Sequence, residues 1–273
     1  MKTFSIHHYV SDLKAVKSKI FLSQNIISFL EQGEKIVHYA DSKTTITSDH
    51  FAILSSGNCL ITEKLPVNND YRSFMLFFDN AALMNFFVKY TTIISEISPK
   101  PNRIKKPFLV FEKDAIIRNY IDSLKLVQLK QESFSDKIIE LKFEELMLHL
   151  LEKYPDEILS FQLKNQEENS DYNIRKAVEL NITNNLTLEE LAFLCHTSVS
   201  TFKRKFVKLY SSTPSQYFLH QKMDMAKALL LKNENPSEVF YKIGYENHSS
   251  FSKSFKQIYG ISPKQFQLQN LII

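Results

Sequence analysis

Residues 244–263 read GYENHSSFSKSFKQIYGISP. The chain has four glycines, at 33, 57, 244 and 260, and two of them bracket this run. Shifted by 49 positions, STFKRKFVKLYSSTPSQY (200–217) falls on SSFSKSFKQIYGISPKQF (249–266). Ser200 then meets Ser249, Phe202 meets Phe251, Phe206 meets Phe255, Tyr210 meets Tyr259 and Pro214 meets Pro263. Aromatics and prolines in matching register mark a duplicated unit. In each copy the aromatics stand at i, i+4 and i+8, one stripe of a helix. A shorter helix precedes each: LTLEELAFLC, with Thr187 and Glu190 placed for a capping box, and PSEVFYKIG, with Asn235 as cap and Pro236 in the first turn. The joining turns are HTS (196–198) and GYENH (244–248). A short helix, a tight turn and an amphipathic helix make a helix-turn-helix, whose second helix enters a DNA major groove.

The late glycines suit left-handed residues, Gly244 after the first helix of copy two and Gly260 after the second. Copy one has His196 and Ser211 near those places, where a positive φ is less comfortable. Between the copies, 213–233 reads as one helix, capped by Thr213, opened by Pro214 and closed by Asn233. At ~1.5 Å per residue it is a rod of roughly 25–30 Å, able to hold two recognition helices about one DNA turn apart.

With the phenylalanines inward, the outer face of copy one carries Ser200, Thr201, Lys203, Arg204 and Lys208. Copy two shows His248, Ser249, Ser250, Ser252, Lys253 and Lys256. Arg and Lys suit guanine edges, Ser and Thr make small polar contacts, and lysines suit phosphates. Ser200, Lys203, Arg204, His248, Ser249, Ser252 and Lys253 are the base-facing candidates, and Lys208 and Lys256 the phosphate contacts. A single Lys or Ser on a helix is ordinarily a solvated residue; the shared face in both copies sets these apart. His248 also suits a packing role at the turn.

The first half has a different texture. Residues 20–80 contain short apolar or alternating runs, NIISFLEQGEKIVHYA, SKTTITSDHFAILSSGNCLITE and DYRSFMLFFD, separated by turn residues such as Gly33, Gly57 and Asn68-Asn69. They predict an antiparallel barrel or sandwich with Phe29, Ile36, Phe51, Leu54, Phe74, Leu76 and Phe78 lining its interior. Residues 81–92, 112–131 and 135–153 read as helices, the last with Ile138, Ile139, Leu141, Leu146, Leu148, Leu150 and Leu151 as its apolar face. They cover the sheet or pair with a second copy as a homodimer. SPKPNRIKKP (98–107) is a loop, read as a solvated linker or a phosphate-contacting arm, and KNQEENSDYN (164–173) marks the domain boundary. The expected class is α+β, a sheet-rich part over 1–164 followed by an all-α part over 170–273. Within the latter lie helix-turn-helix units at 187–210 and 236–259 and the linker helix at 214–232.

Charge follows the same division. Residues 171–273 hold 13 Lys/Arg against 8 Asp/Glu, whereas residues 1–170 hold 21 against 22. The positive excess sits with the duplicated unit, as a polyanion partner requires. No stretch of ~18 apolar residues suggests a membrane span. The start lacks a signal-peptide core, and the only cysteines are Cys59 and Cys195, so a reducing, cytoplasmic setting is expected.

The residues Gly244, Tyr245, Ser250, Phe251, Phe255, Gly260 and Ser262-Pro263 resemble the signature of AraC/XylS-type transcriptional regulators. LTLEELAFLCHTSVSTFKRKF and MAKALLL are similar to that family's first helix-turn-helix and linker helix. The resemblance covers about 171–268. It implies a bacterial, seven-helix double-stranded-DNA-binding domain, a cupin-like N-terminal domain that senses a signal or dimerises, and recruitment of RNA polymerase, hence an activator. The residues themselves do not separate activation from repression. Lys222 stands where the family often has Arg, so a bidentate contact there would be lost.

A metal-dependent cupin enzyme is the rival. His7, His8, His38 and His50 are scattered, with no His-x-His beside a suitable Glu, and no phosphate-binding or nucleophile motif occurs. Neither catalysis, metal nor cofactor is therefore expected. The signal at the first domain is a small apolar effector or, alternatively, a docked protein partner.

Overall fold

The computed structural model describes residues 2–66, 70–97, 106–130, 133–161 and 170–270. The turn at Asn68-Asn69, most of the loop 98–107 and most of the polar boundary 164–173 lie outside the described residues. The chain separates into two compact units, Met1–Gln166 and Glu167–Ile273.

The first unit holds nine strands among the described residues: β1 (Phe4–Ser11), β2 (Ala15–Leu22), β3 (Asn25–Gln32), β4 (Glu34–Tyr39), β5 (Ser42–Thr47), β6 (His50–Leu54), β7 (Gly57–Lys64), β8 (Tyr71–Phe78) and β9 (Phe108–Glu112). They form two antiparallel sheets, β1-β8-β3-β6-β9 and β2-β7-β4-β5. Helices α1 (Asn80–Lys89), α2 (Thr91–Glu96), α3 (Ala115–Lys130), α4 (Ser135–Lys153) and α5 (Pro155–Ser160) accompany them. The class is α+β, as expected.

The centre of the five-stranded sheet is buried on both faces while β1 at its edge is largely exposed, and side-chain alternation sorts the buried residues into two cores. Ile27, Phe29, Phe51, Ile53, Phe74, Leu76, Phe78, Leu109 and Phe111 pack with Leu83 and Phe86 of α1, Tyr120 and Leu124 of α3, and Phe143, Leu146 and Leu150 of α4. Ile26, Leu30, Ala52, Leu54 and Tyr71 point the other way and meet Val37, Tyr39, Ile46 and Cys59 of the second sheet. The layers run helix, sheet, sheet. Five of the residues expected inside a barrel (Phe29, Phe51, Phe74, Leu76 and Phe78) therefore face the helices instead, because helices seal the outer side of their sheet.

Three further expectations are corrected. Ile36 is only half-buried, while Lys35, Val37 and Tyr39 point inward. One position of slip in strand register exchanges every side chain between faces. On α4, Leu141 is 51% exposed and Phe143 and Met147 are buried in the core. The helix expected over 112–131 begins at Ala115, and Glu112 instead ends strand β9, which pairs with β6 from His50↔Glu112 to Leu54↔Phe108.

The second unit contains seven helices among the described residues: α6 (Ser170–Leu180), α7 (Leu188–Leu194), α8 (Val199–Tyr210), α9 (Pro214–Leu231), α10 (Pro236–Lys242), α11 (His248–Tyr259) and α12 (Pro263–Asn270). The repeat also embraces α6 and α9. Ile174 and Ala177 stand 49 positions before Met223 and Ala226, and all four are fully buried. Through α7 and α10 the offset is 48, since Cys195 and Ile243 end the helices alike. The second turn then takes one extra residue before α11, restoring 49.

Candidate nucleic-acid interface

Both short helices end in the same hydrogen-bond pattern. His196 N donates to Phe193 O and Thr197 N to Ala192 O; Gly244 N donates to Tyr241 O and Tyr245 N to Phe240 O. This closure needs a left-handed residue, and His196 (φ 53) and Gly244 (φ 78) supply it. Thr187 and Glu190 form the capping box, Glu190 N donating to Thr187 Oγ1 at 3.2 Å and Thr187 N to Glu190 Oε2 at 2.8 Å. Helices α8 and α11 are capped by Ser198, which accepts from Thr201 N, and by Asn247, which accepts from Ser250 N.

Phe202, Phe206, Phe251 and Phe255 are fully buried. Their rings continue into matched ladders, Phe206–Tyr210 at 4.6 Å and Tyr210–Tyr217 at 4.5 Å, against Phe255–Tyr259 at 4.7 Å and Tyr259–Phe266 at 5.9 Å. Burying these stripes turns the opposite faces of α8 and α11 to solvent. Ser200, Lys203, Arg204 and Lys208 are exposed on α8, and His248, Ser249, Ser250, Lys253 and Lys256 on α11. Thr201 and Ser252 are half-buried. The Thr201 hydroxyl accepts from Ser198 Oγ at 3.0 Å, and Ser252 Oγ lies 3.4 Å from His248 Nδ1. The His248 ring meets Phe240 and Phe251 edge-on at 6.0 and 6.1 Å, so it packs at the turn while its edge stays exposed. Lys205, on the flank of α8, is held by Asp171 of α6 at 3.0 Å.

Two features escaped sequence reading. Val207 is 47% exposed on the face of Lys203 and Arg204; an apolar residue on the polar side of an amphipathic helix was the available signal. At Lys222, where the family resemblance implies only a lost bidentate contact, the ammonium donates to Asn185 Oδ1 at 2.6 Å and lies over the Tyr245 ring at 5.5 Å. Nothing local announces that contact, since Asn185 and Lys222 are 37 positions apart.

Two helix-turn-helix units joined by one helix, with polar and basic outer faces, define a double-headed DNA-binding regulator with a separate sheet-rich unit. Residues 25–161 match the model described as the ExsA N-terminal regulatory domain, and residues 191–269 match a helix-turn-helix domain. The chain belongs to the AraC-type transcriptional regulators that carry this N-terminal regulatory domain.

Among curated relatives, the probable transcriptional regulator LumQ of Photobacterium leiognathi is 27% identical over 158 residues, covering 58% of this chain and 62% of LumQ, less than two thirds of it. The thermoregulatory protein LcrF of Yersinia pestis is 24% identical over 190 residues, 69% of each chain. Among solved structures, ToxT of Vibrio cholerae is 15% identical with a TM-score of 0.41, covering 98% of both chains.

Proposed function

We propose that α8 and α11 enter successive major grooves on one side of a duplex, with α9, 18 residues or ~27 Å long, as the rod between them. The carrying observation is the pair of exposed polar and basic faces, each set opposite a buried Phe pair at the same place in the repeat. Lys203, Arg204 and Lys253 read base edges together with Ser200 and Ser249, Val207 offers an apolar contact for a thymine methyl, and Lys208 and Lys256 hold phosphates. Thr201, Ser250, Ser252 and His248 shape the helix starts and make secondary contacts. The protein acts as an activator through RNA polymerase and not as an enzyme, and works in the cytoplasm.

Its regulatory input enters through the first unit. A hollow of about 590 Å³, lined by Phe4, Phe86 and Phe143 and by the charged Lys89, Glu140 and Glu144, with the Lys89–Glu144 pair at 2.7 Å, gives room for a small effector that carries polar groups as well as an apolar body. Exposed Leu126, Leu129 and Phe134 at the α3–α4 end favour a second reading, in which a second copy or another protein docks there.

Mapping bound DNA across the genome yields the sites. On a mapped site, Arg204→Ala and Lys253→Ala should each weaken binding by about 1–3 kcal/mol and relax preference at one position, with unchanged thermal unfolding. Unchanged affinity in both variants refutes the groove assignment.

A further inference from the structure

Asn185 lies in the turn between α6 and α7 in a left-handed conformation, φ 49. Asn233, at the corresponding place between α9 and α10, has φ 63. The backbone shape thus belongs to the repeat. The side-chain contacts of Asn185 belong to the pairing of the two copies. Its Nδ2 donates to Gly244 O at 2.6 Å, and its Oδ1 accepts from Lys222 Nζ at 2.6 Å. Only a side chain with both a donor and an acceptor satisfies a carbonyl and an ammonium together. Gly244, the left-handed end of α10, sits so close that a Cβ there would lie 2.3 Å from Thr183 O. The Lys222 ammonium completes the knot over the Tyr245 ring, in the turn before α11.

These contacts tie three parts together: the turn that leads into the first helix-turn-helix, the linker helix, and the turn of the second helix-turn-helix. A helical rod sets the distance between its ends, but side chains must set the rotation of the units at those ends. On B-DNA one added base pair shifts a half-site by about 3.4 Å and rotates it by about 34°. We propose that Asn185, Lys222 and Gly244 form a latch that fixes the angle between α8 and α11, and so determines which half-site spacing the protein accepts. Asn185 and Lys222 are positioning residues, acting through the helices they hold. The proposal rests on α8 and α11 reading successive grooves.

The test uses the full chain and a duplex selected in vitro with it. Affinity is measured by fluorescence anisotropy on that duplex, on versions with one or two base pairs inserted between the contacted segments, and on one with a single segment scrambled. The variants are Lys222→Met, which keeps the stem over Tyr245, and Asn185→Gly, which tolerates the left-handed backbone. The unaltered protein should lose on the order of tenfold per inserted base pair, the scale of one mismatch. Both variants should lose less than half of that on a logarithmic scale, while matching the unaltered protein on the scrambled duplex. Variants as steep as the unaltered protein, or weakened equally on every duplex, overturn the latch. An unaltered protein indifferent to insertion overturns the two-groove reading, and the latch with it.

Discussion

Ser211 and Gly260 occupy the same place in the two copies, and both are left-handed, at φ 51 and φ 80. Each donates its N–H four residues back, Ser211 to Val207 O and Gly260 to Lys256 O. A Cβ at Gly260 would meet nothing within 4 Å, so backbone preference alone separates the two residues there. Ser211→Gly should therefore stabilise the second unit by about 0.5–1 kcal/mol, relief of the left-handed strain exceeding the entropy glycine adds to the unfolded chain. Calorimetry should show a midpoint raised by a few degrees; a lowered midpoint contradicts the reading. Gly244 is a different case. It needs a positive φ and also lies against Thr183 O, so Gly244→Ala should lower the same midpoint markedly.

Strand β4 shows what one element does with a residue its sequence pattern would leave outside. Lys35 is 3% exposed. Its ammonium donates to Ser28 Oγ at 3.0 Å, Ser28 and Ser73 hydroxyls lie 3.0 Å apart, and the Tyr71 ring lies 5.8 Å below. Its cross-strand neighbour is Glu63, which accepts from the Tyr9 hydroxyl at 3.1 Å. Burial pushes the Lys35 pKa down to about 8, opposed by Glu63. Below pH 8 the folded and unfolded chains both keep this proton, and the burial penalty is fully present. Between there and the ordinary lysine value of 10.5 the folded chain loses the proton first. Stability therefore rises with pH, by at most about 1.4 kcal/mol per pH unit. Lys113, held down to about 8 mainly by burial, adds the same sign. Tyr39 and Tyr120, pushed up by burial, oppose it only beyond the ordinary tyrosine range. In Lys35→Met the rise in denaturation midpoint of the first unit between about pH 7.5 and 9.5 should fall by roughly half. An unchanged slope would mean that Lys35 is not the group titrating.

At the scale of the molecule, charge is divided as function requires. The second half carries the positive excess, and on α8 and α11 it is displayed opposite the buried aromatics. The logarithm of DNA affinity should fall linearly with the logarithm of salt concentration. Lys208→Ala and Lys256→Ala should each lower the slope by about 1 and weaken binding to all sequences alike. Titrations at several salt concentrations read this directly; a change in sequence preference would instead place these lysines on base edges. Among the described residues, no helix is long and apolar enough to cross a membrane.

What the sequence determined by itself was the double helix-turn-helix: aromatics at i, i+4 and i+8, capping residues and terminal prolines act within a few residues, so their meaning is readable locally. Turn-punctuated alternation likewise disclosed a sheet-rich first half. The tertiary structure decided the rest. Whether Lys35 or Ile36 faces inward depends on which partners β4 finds across the sheets, and Ser28 and Glu63 are supplied by β3 and β7. Strand β9 is defined by its pairing with β6, more than fifty residues upstream. The contact of Asn185 with Lys222 and Gly244 exists only once both copies have folded around α9, because hydrogen bonds between residues distant in the chain leave no periodic trace in it.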